Sequence, residues 1–202
     1  MVRHELGKWN LDELAKNPNR AIIDKKLARI ESDSKRFEKI KKSLNPKISS
    51  GKFLKLLHDV ENIAEKSSVI GGYASLRYSE NTQSDEATAL LTRISKFGSD
   101  IENRLLFFDL WWKRQVDEKN AKRLIKSAGQ FSEYLRFKRL LAKYSLSEPE
   151  ERIINTLDVT GASALVKLYD KITNAYVYTV TVDGKKRTMD REHLTTLVRS
   201  KK

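Results

Sequence analysis

No cysteine occurs among the 202 residues. That excludes a disulfide scaffold, thiol catalysis and any cysteine-ligated zinc or iron–sulfur site. Breakers are scarce: 8 glycines and 3 prolines, where a chain of this length usually carries about 14 and 10. With 33% charged and 39% hydrophobic residues, the composition points to long helices. It argues against disorder or a collagen-like repeat. Long apolar runs are also missing. The most apolar, Leu105 to Trp112, contains Asp109 and is far shorter than the roughly 20 residues a membrane helix needs. Residues 1–20 are charged throughout, without an apolar signal-peptide core. The expectation is a soluble, cytoplasmic protein with no membrane contact.

Charge is present in excess of one sign, 40 basic against 27 acidic side chains for a net +13. Its distribution is even, however. Residues 1–50, 51–100, 101–150 and 151–202 carry +6, −1, +4 and +4. Acids interleave the lysines, as on a solvated helical surface, so no basic stripe long enough to track a polyanion emerges. Nucleic acid is therefore not the expected partner. A free-standing basic helical module that binds nucleic acid or a protein remains the alternative.

The prolines Pro18, Pro46 and Pro149 each precede a helical pattern, as suits a residue with no N–H to leave unpaired in a first turn. After Pro18, Ile22, Ile23, Leu27, Ile30, Phe37, Ile40 and Leu44 form an apolar stripe. A second stripe runs from Phe53 to Ala64, with Gly71-Gly72 as a candidate break. The longest helix is expected from about Gln83 to Asp117. Its seam of Ala87, Leu91, Ile94, Gly98, Ile101, Leu105, Phe108 and Trp112 alternates steps of four and three. A fourth is expected from about Asn120 to Lys143. Ser147 to Glu150 fits a capping box, followed by short helices through Ile153, Ile154 and Leu157 and from about Gly161 to Lys171. The period then changes. Tyr176 to Val182 alternates as a strand, Asp183-Gly184 is a two-residue hairpin turn, and Lys185 to Met189 is the return. Asp190 caps a last helix through Leu194, Leu197 and Val198.

The expected fold is mainly α: an antiparallel long-helix bundle with a C-terminal β-hairpin and a short final helix. A lone hairpin and a helix of about ten residues are both marginal in water. The reading therefore divides the chain into a helical domain, 1–172, and a segment 173–202 that opens a further domain. It expects the fold to continue beyond Lys202.

Chemistry is sparse. His4-Glu5 begins like HExxH, but Lys8 stands where the second histidine belongs. His58 and His193 have no second histidine near them in sequence. Gly98-Ser99 and Gly161-Ala162-Ser163 lack a nucleophile elbow, and Gly71-Gly72 lacks the spacing of a phosphate loop. Asp117-Glu118 and Glu150-Glu151 stand at helix starts, where they suit the dipole. Trp111-Trp112 beside Lys113-Arg114 offers base stacking, although the seam places at least one ring in the packing. No catalytic residue and no metal ligand is expected in this chain.

One stretch carries more information. Gly72-Tyr73-Ala74-Ser75-Leu76-Arg77-Tyr78-Ser79-Glu80-Asn81-Thr82 resembles the oligoendopeptidase F family of zinc metallopeptidases, relatives of thimet oligopeptidase. Further elements similar to that family follow in order. They are Trp9-Asn10-Leu11 with Leu14, and Phe107-Phe108-Asp109-Leu110 on the long helix. Next come Leu146-Ser147-Glu148 with Glu150-Glu151 and Ile153-Ile154, then Thr160-Gly161, Ala164 and Leu168-Tyr169-Asp170. Leu165 departs from the tryptophan the pattern has there. The resemblance implies the N-terminal, channel-forming part of a peptidase that hydrolyses short peptides. Its HExxH, two zinc-binding histidines, general-base glutamate and downstream glutamate ligand lie in a later helical domain, and none has a counterpart here. The implied cofactor, zinc, and the implied partner, the C-terminal catalytic domain, are thus external to this chain. Tyr78 is left with two readings, channel-facing or holding a helix junction by hydrogen bonds. No substrate-binding residue is assigned.

Overall fold

A computed structural model describes residues 10, 11, 13–15 and 19–199; His4, Trp9 and Pro18 lie outside them. The helix α1 (Arg20–Glu38) starts where the Asn19 side chain accepts from the Ile22 N–H at 2.9 Å. It buries Ile23, Leu27, Ile30, Ser34 and Phe37, the inner positions of the stripe read from sequence. A 3₁₀ turn, Lys39–Ser43, ends it. Ser49 caps α2 (Ser50–Glu80), which runs straight through Gly71-Gly72 instead of breaking there. Neither glycine has positive φ. Ile70, Tyr73 and Ala74 around them are buried, and that packing outweighs a propensity loss of about 1 kcal/mol per glycine.

Ser84 caps α3 (Asp85–Leu110), which continues into one π-helical turn, Trp111–Gln115. The Val116 N–H bonds the Trp111 carbonyl at 3.2 Å. Such a turn inserts an extra residue, and here both Trp111 and Trp112 are buried. The expected fourth helix is divided. It comprises α4 (Glu118–Lys126), a 3₁₀ turn at Gly129–Phe131, α5 (Ser132–Leu140) and a 3₁₀ turn at Leu141–Tyr144. The division falls at Gly129, whose φ of +56° is a left-handed conformation that glycine adopts without a Cβ penalty.

Next come α6 (Glu148–Thr160) and α7 (Ala162–Asn174). The antiparallel hairpin is β1 (Val177–Val182) with β2 (Lys185–Asp190), in register from Val177 opposite Asp190 to Val182 opposite Lys185. Asp183 and Gly184 both have positive φ, +49° and +75°, as a primed hairpin turn requires. The Asp190 carboxylate accepts from the His193 N–H at 2.8 Å and starts α8 (Arg191–Arg199), which packs on the hairpin.

The core lies among α1, α2, α3, the π turn, α4 and α5. Its centre is aromatic. Phe37 meets Phe108 edge-on at 5.3 Å, Phe53 stacks on Trp112 at 5.2 Å, and Phe108 stacks on Trp111 at 5.6 Å. The Trp112 Nε1–H donates to the Leu135 carbonyl at 3.0 Å. Arg139 donates to the Trp112 and Val116 carbonyls at 3.1 and 2.8 Å, satisfying groups the π turn leaves open. By contrast, α6, α7, β1, β2 and α8 contain no fully buried residue. Here α6 lies on α3 and α7 on α6, held largely by polar contacts. Ser99 Oγ donates to the Asn155 carbonyl at 2.9 Å, and Lys41 pairs with Glu148 at 2.9 Å.

Candidate functional site

The two described histidines stand apart. His58, exposed on α2, has its Nδ1 3.2 Å from Glu61 Oε2 and its ring edge-on to Phe131 at 5.1 Å. His193 sits 2.7 Å from Asp190 Oδ1. Among the described residues no group of three or more His, Asp or Glu side chains could hold a metal ion. A one-imidazole, one-carboxylate pair does not fit the three-ligand zinc site of a peptidase.

The paired carboxylates cap helices. Asp117 accepts from the Asn120 N–H at 3.0 Å and from its amide nitrogen at 2.7 Å, bonds that hold the Asp117 carboxyl below its usual range. Glu150 accepts from the Ser147 hydroxyl at 2.6 Å and its N–H at 2.8 Å, with the same effect. Trp111 and Trp112 are core residues, not an exposed stacking platform. Tyr78 is buried on α2, and its hydroxyl donates to the Lys167 carbonyl of α7 at 3.1 Å. Of its two readings, the geometry is that of a fastener. Burial and the Asp170 carboxylate push its phenol above the ordinary value.

Two surface features were not singled out from the sequence. The first is a groove of about 620 Å³ between α2, α3, α5 and α6, floored by Leu57, Val60, Phe108, Trp112, Phe131 and Leu135. Its rim carries Glu61, Glu102, Asp109, Tyr134 and Lys138. Asp109 is neutralised twice, by Lys113 at 2.5 Å and Lys138 at 2.9 Å. Burial works against the Lys138 charge, but the hydrogen bond and charge of Asp109 hold its pKa above the ordinary value. Glu102 behaves in the opposite way. Although its side chain reaches solvent, surrounding protein and the Asp158 carboxylate raise its pKa. The sequence signal for this site was an acid inside the apolar stripe: Asp109 in the Leu105–Trp112 run, and Glu102 beside Ile101.

The second feature is an uncovered apolar face. Phe137, Leu140, Ile153, Leu157, Leu165 and Tyr169 are exposed on α5, α6 and α7, Leu140 to 70%. Single exposed leucines are ordinary; large apolar side chains left exposed on each of three successive helices are not. No described helix is long and apolar enough to cross a membrane.

Residues 114–177, from within the π turn to the first residue of β1, match a family model described as Oligopeptidase F. No curated protein and no solved structure matches the chain. The matched stretch includes the Leu146–Ile154 and Thr160–Asp170 segments of the motif resemblance, whereas Gly72–Thr82 and Phe107–Leu110 lie outside it. It also contains α4 to α7, and therefore the uncovered apolar face. The similarity to the oligopeptidase F N-terminal model is thus confined to residues 114–177, less than half of the chain.

Proposed function

We propose that this chain is the N-terminal, substrate-confining part of an oligopeptidase F-like zinc metallopeptidase that hydrolyses short peptides, and that alone it is inactive. The observation that carries this reading is the coincidence of the family-matched segment with the uncovered apolar face of α5, α6 and α7. Burial of apolar area is worth about 25 cal/mol per Å², so side chains such as Ile153, Leu157, Leu165 and Tyr169 favour a protein cover. In this reading the cover is the catalytic domain, which supplies HExxH and its zinc. The helical body, 1–172, forms one wall of the channel. The hairpin and α8, 173–202, are the seam to the catalytic domain and have no fully buried residue of their own among those described. A cytoplasmic location belongs to the same proposal.

The test is reconstitution. The chain is mixed with the separately expressed catalytic segment of an oligopeptidase F-like peptidase, and assayed with a quenched short peptide. A stable complex with chelator-sensitive cleavage, absent from either part alone, is expected. Ile154→Asp and Leu165→Asp should weaken the complex while leaving the fold intact, because both side chains are already exposed. Cleavage by the chain alone, or no association, would overturn the proposal.

A further inference from the structure

We infer that the groove between α2, α3, α5 and α6 is a binding site for a peptide segment in which a large apolar side chain is flanked by lysine or arginine. Two observations lead there. The floor is continuous apolar and aromatic surface, from Leu57 on α2 to Leu135 on α5, and at about 620 Å³ it is the size of a ligand pocket. It is too large for one side chain and suits a short segment.

The rim then selects charge. Asp109 already has Lys113 and Lys138 within 2.9 Å, so that cluster is net positive and selection of a basic ligand rests on the other rim acids. Glu61 is partnered only by the His58 imidazole at 3.2 Å, and Glu102 has no lysine or arginine partner among the described residues. Asp158, facing Glu102 from α6, is likewise without a cationic partner there and accepts only from the Ser163 hydroxyl, at 3.0 Å. Two rim carboxylates, Glu61 of α2 and Glu102 of α3, thus stand without a lysine or arginine partner among the described residues at an apolar groove. Lysine or arginine side chains of a bound segment gain a carboxylate partner from each.

The chain as a whole argues the other way, and that makes the inference testable. With a net charge of +13, non-specific attraction favours an acidic peptide. Only local recognition at the rim favours a basic one, and at about 150 mM salt a Debye length of about 8 Å leaves the local term dominant.

The experiment measures binding of two fluorescent peptides by anisotropy at about 150 mM salt. Both carry a central Leu-Phe pair, flanked by lysines in one and by glutamates in the other. Rim ion pairs contribute about a factor of three each, so the lysine-flanked peptide should bind about tenfold more tightly. Glu61→Gln with Glu102→Gln should remove most of that preference without reshaping the groove. Ala64→Trp, at an exposed position on the groove wall, should fill the groove and abolish binding of both peptides. Circular dichroism confirms that each variant is folded. Equal or tighter binding of the glutamate-flanked peptide, undiminished binding to Ala64→Trp, or no binding of either peptide would overturn the inference. None of these readouts depends on peptidase activity or on a catalytic partner.

Discussion

The Tyr78 hydroxyl donates to the Lys167 carbonyl at 3.1 Å, and this bond fastens a helix of the aromatic core to the last helix of the family-matched segment. Around it, Gln83 Nε2 donates to the Lys171 carbonyl at 3.0 Å and Lys171 pairs with Asp85 at 3.3 Å. Polar links therefore set where α7 lies, and its apolar side chains remain open. Tyr78→Phe should cost only about 1 kcal/mol of global stability. It should accelerate amide exchange selectively in α7, read residue by residue by NMR.

The indole of Trp112 has a larger role. Its bond to the buried Leu135 carbonyl joins the end of α3 to α5, and its ring stacks on Phe53. Trp112→Phe removes the donor and leaves a void, so the expected loss is about 2–4 kcal/mol. Urea titration checks it. A loss below about 1 kcal/mol would mean that α5 is held some other way.

The two glycines inside α2 work in the opposite direction. A Cβ built on Gly71 or Gly72 meets nothing within 4 Å, and neither has positive φ. Gly72→Ala should therefore stabilise the chain by about 0.5–1 kcal/mol, by restricting the unfolded chain and strengthening the helix. Thermal unfolding provides the readout.

Acid should loosen the attachment of α6. The Lys41 ammonium, 2.9 Å from Glu148, and Arg152 beside it hold the Glu148 carboxyl below its ordinary value. A carboxyl depressed on folding adds stability above its unfolded pKa and loses it as pH falls through the folded one. The contribution of this part-exposed pair, no more than about 1 kcal/mol, should thus fade from about pH 5 downward. Lys41→Met should flatten that part of the pH–stability curve. An unchanged curve would remove Lys41 from the account.

Much of the fold was legible because its signals are local. The stripe from Ile23 to Phe37 and the seam from Ala87 to Phe108 repeat at helical spacing, and Asp183-Gly184 specifies its own turn. The division at Gly129 was missed because an isolated glycine inside an apolar pattern can be absorbed, as it is at Gly71-Gly72, or can switch to positive φ. Tertiary packing makes that choice. The π turn was hidden for a related reason: only the folded core shows that both Trp111 and Trp112 are drawn inside. The groove is the least legible feature. Glu102 and Asp158 are far apart in sequence, and only the packing of α6 on α3 brings their charges together.

Zinc offers a simple check on where the chemistry resides. Purified, dialysed protein should contain no stoichiometric zinc, because His58 and His193 each have a single carboxylate partner where a peptidase site needs three ligands and a water. Elemental analysis reads this directly. One tightly bound zinc per chain would require a site the present account does not contain.

Hydrogen exchange on the chain, alone and with a catalytic segment, tests the central claim most directly. Elements without buried side chains open at low free energy, whereas core helices approach the global value. Amides of α6, α7, the hairpin and α8 should exchange much faster than those of Ala87 to Trp112 in the dilute chain. They should slow selectively when the catalytic segment of an oligopeptidase F-like peptidase is added. Equal protection of both regions in a dilute monomer, or no slowing on addition, would contradict the claim that the α5–α7 face is half of an interface.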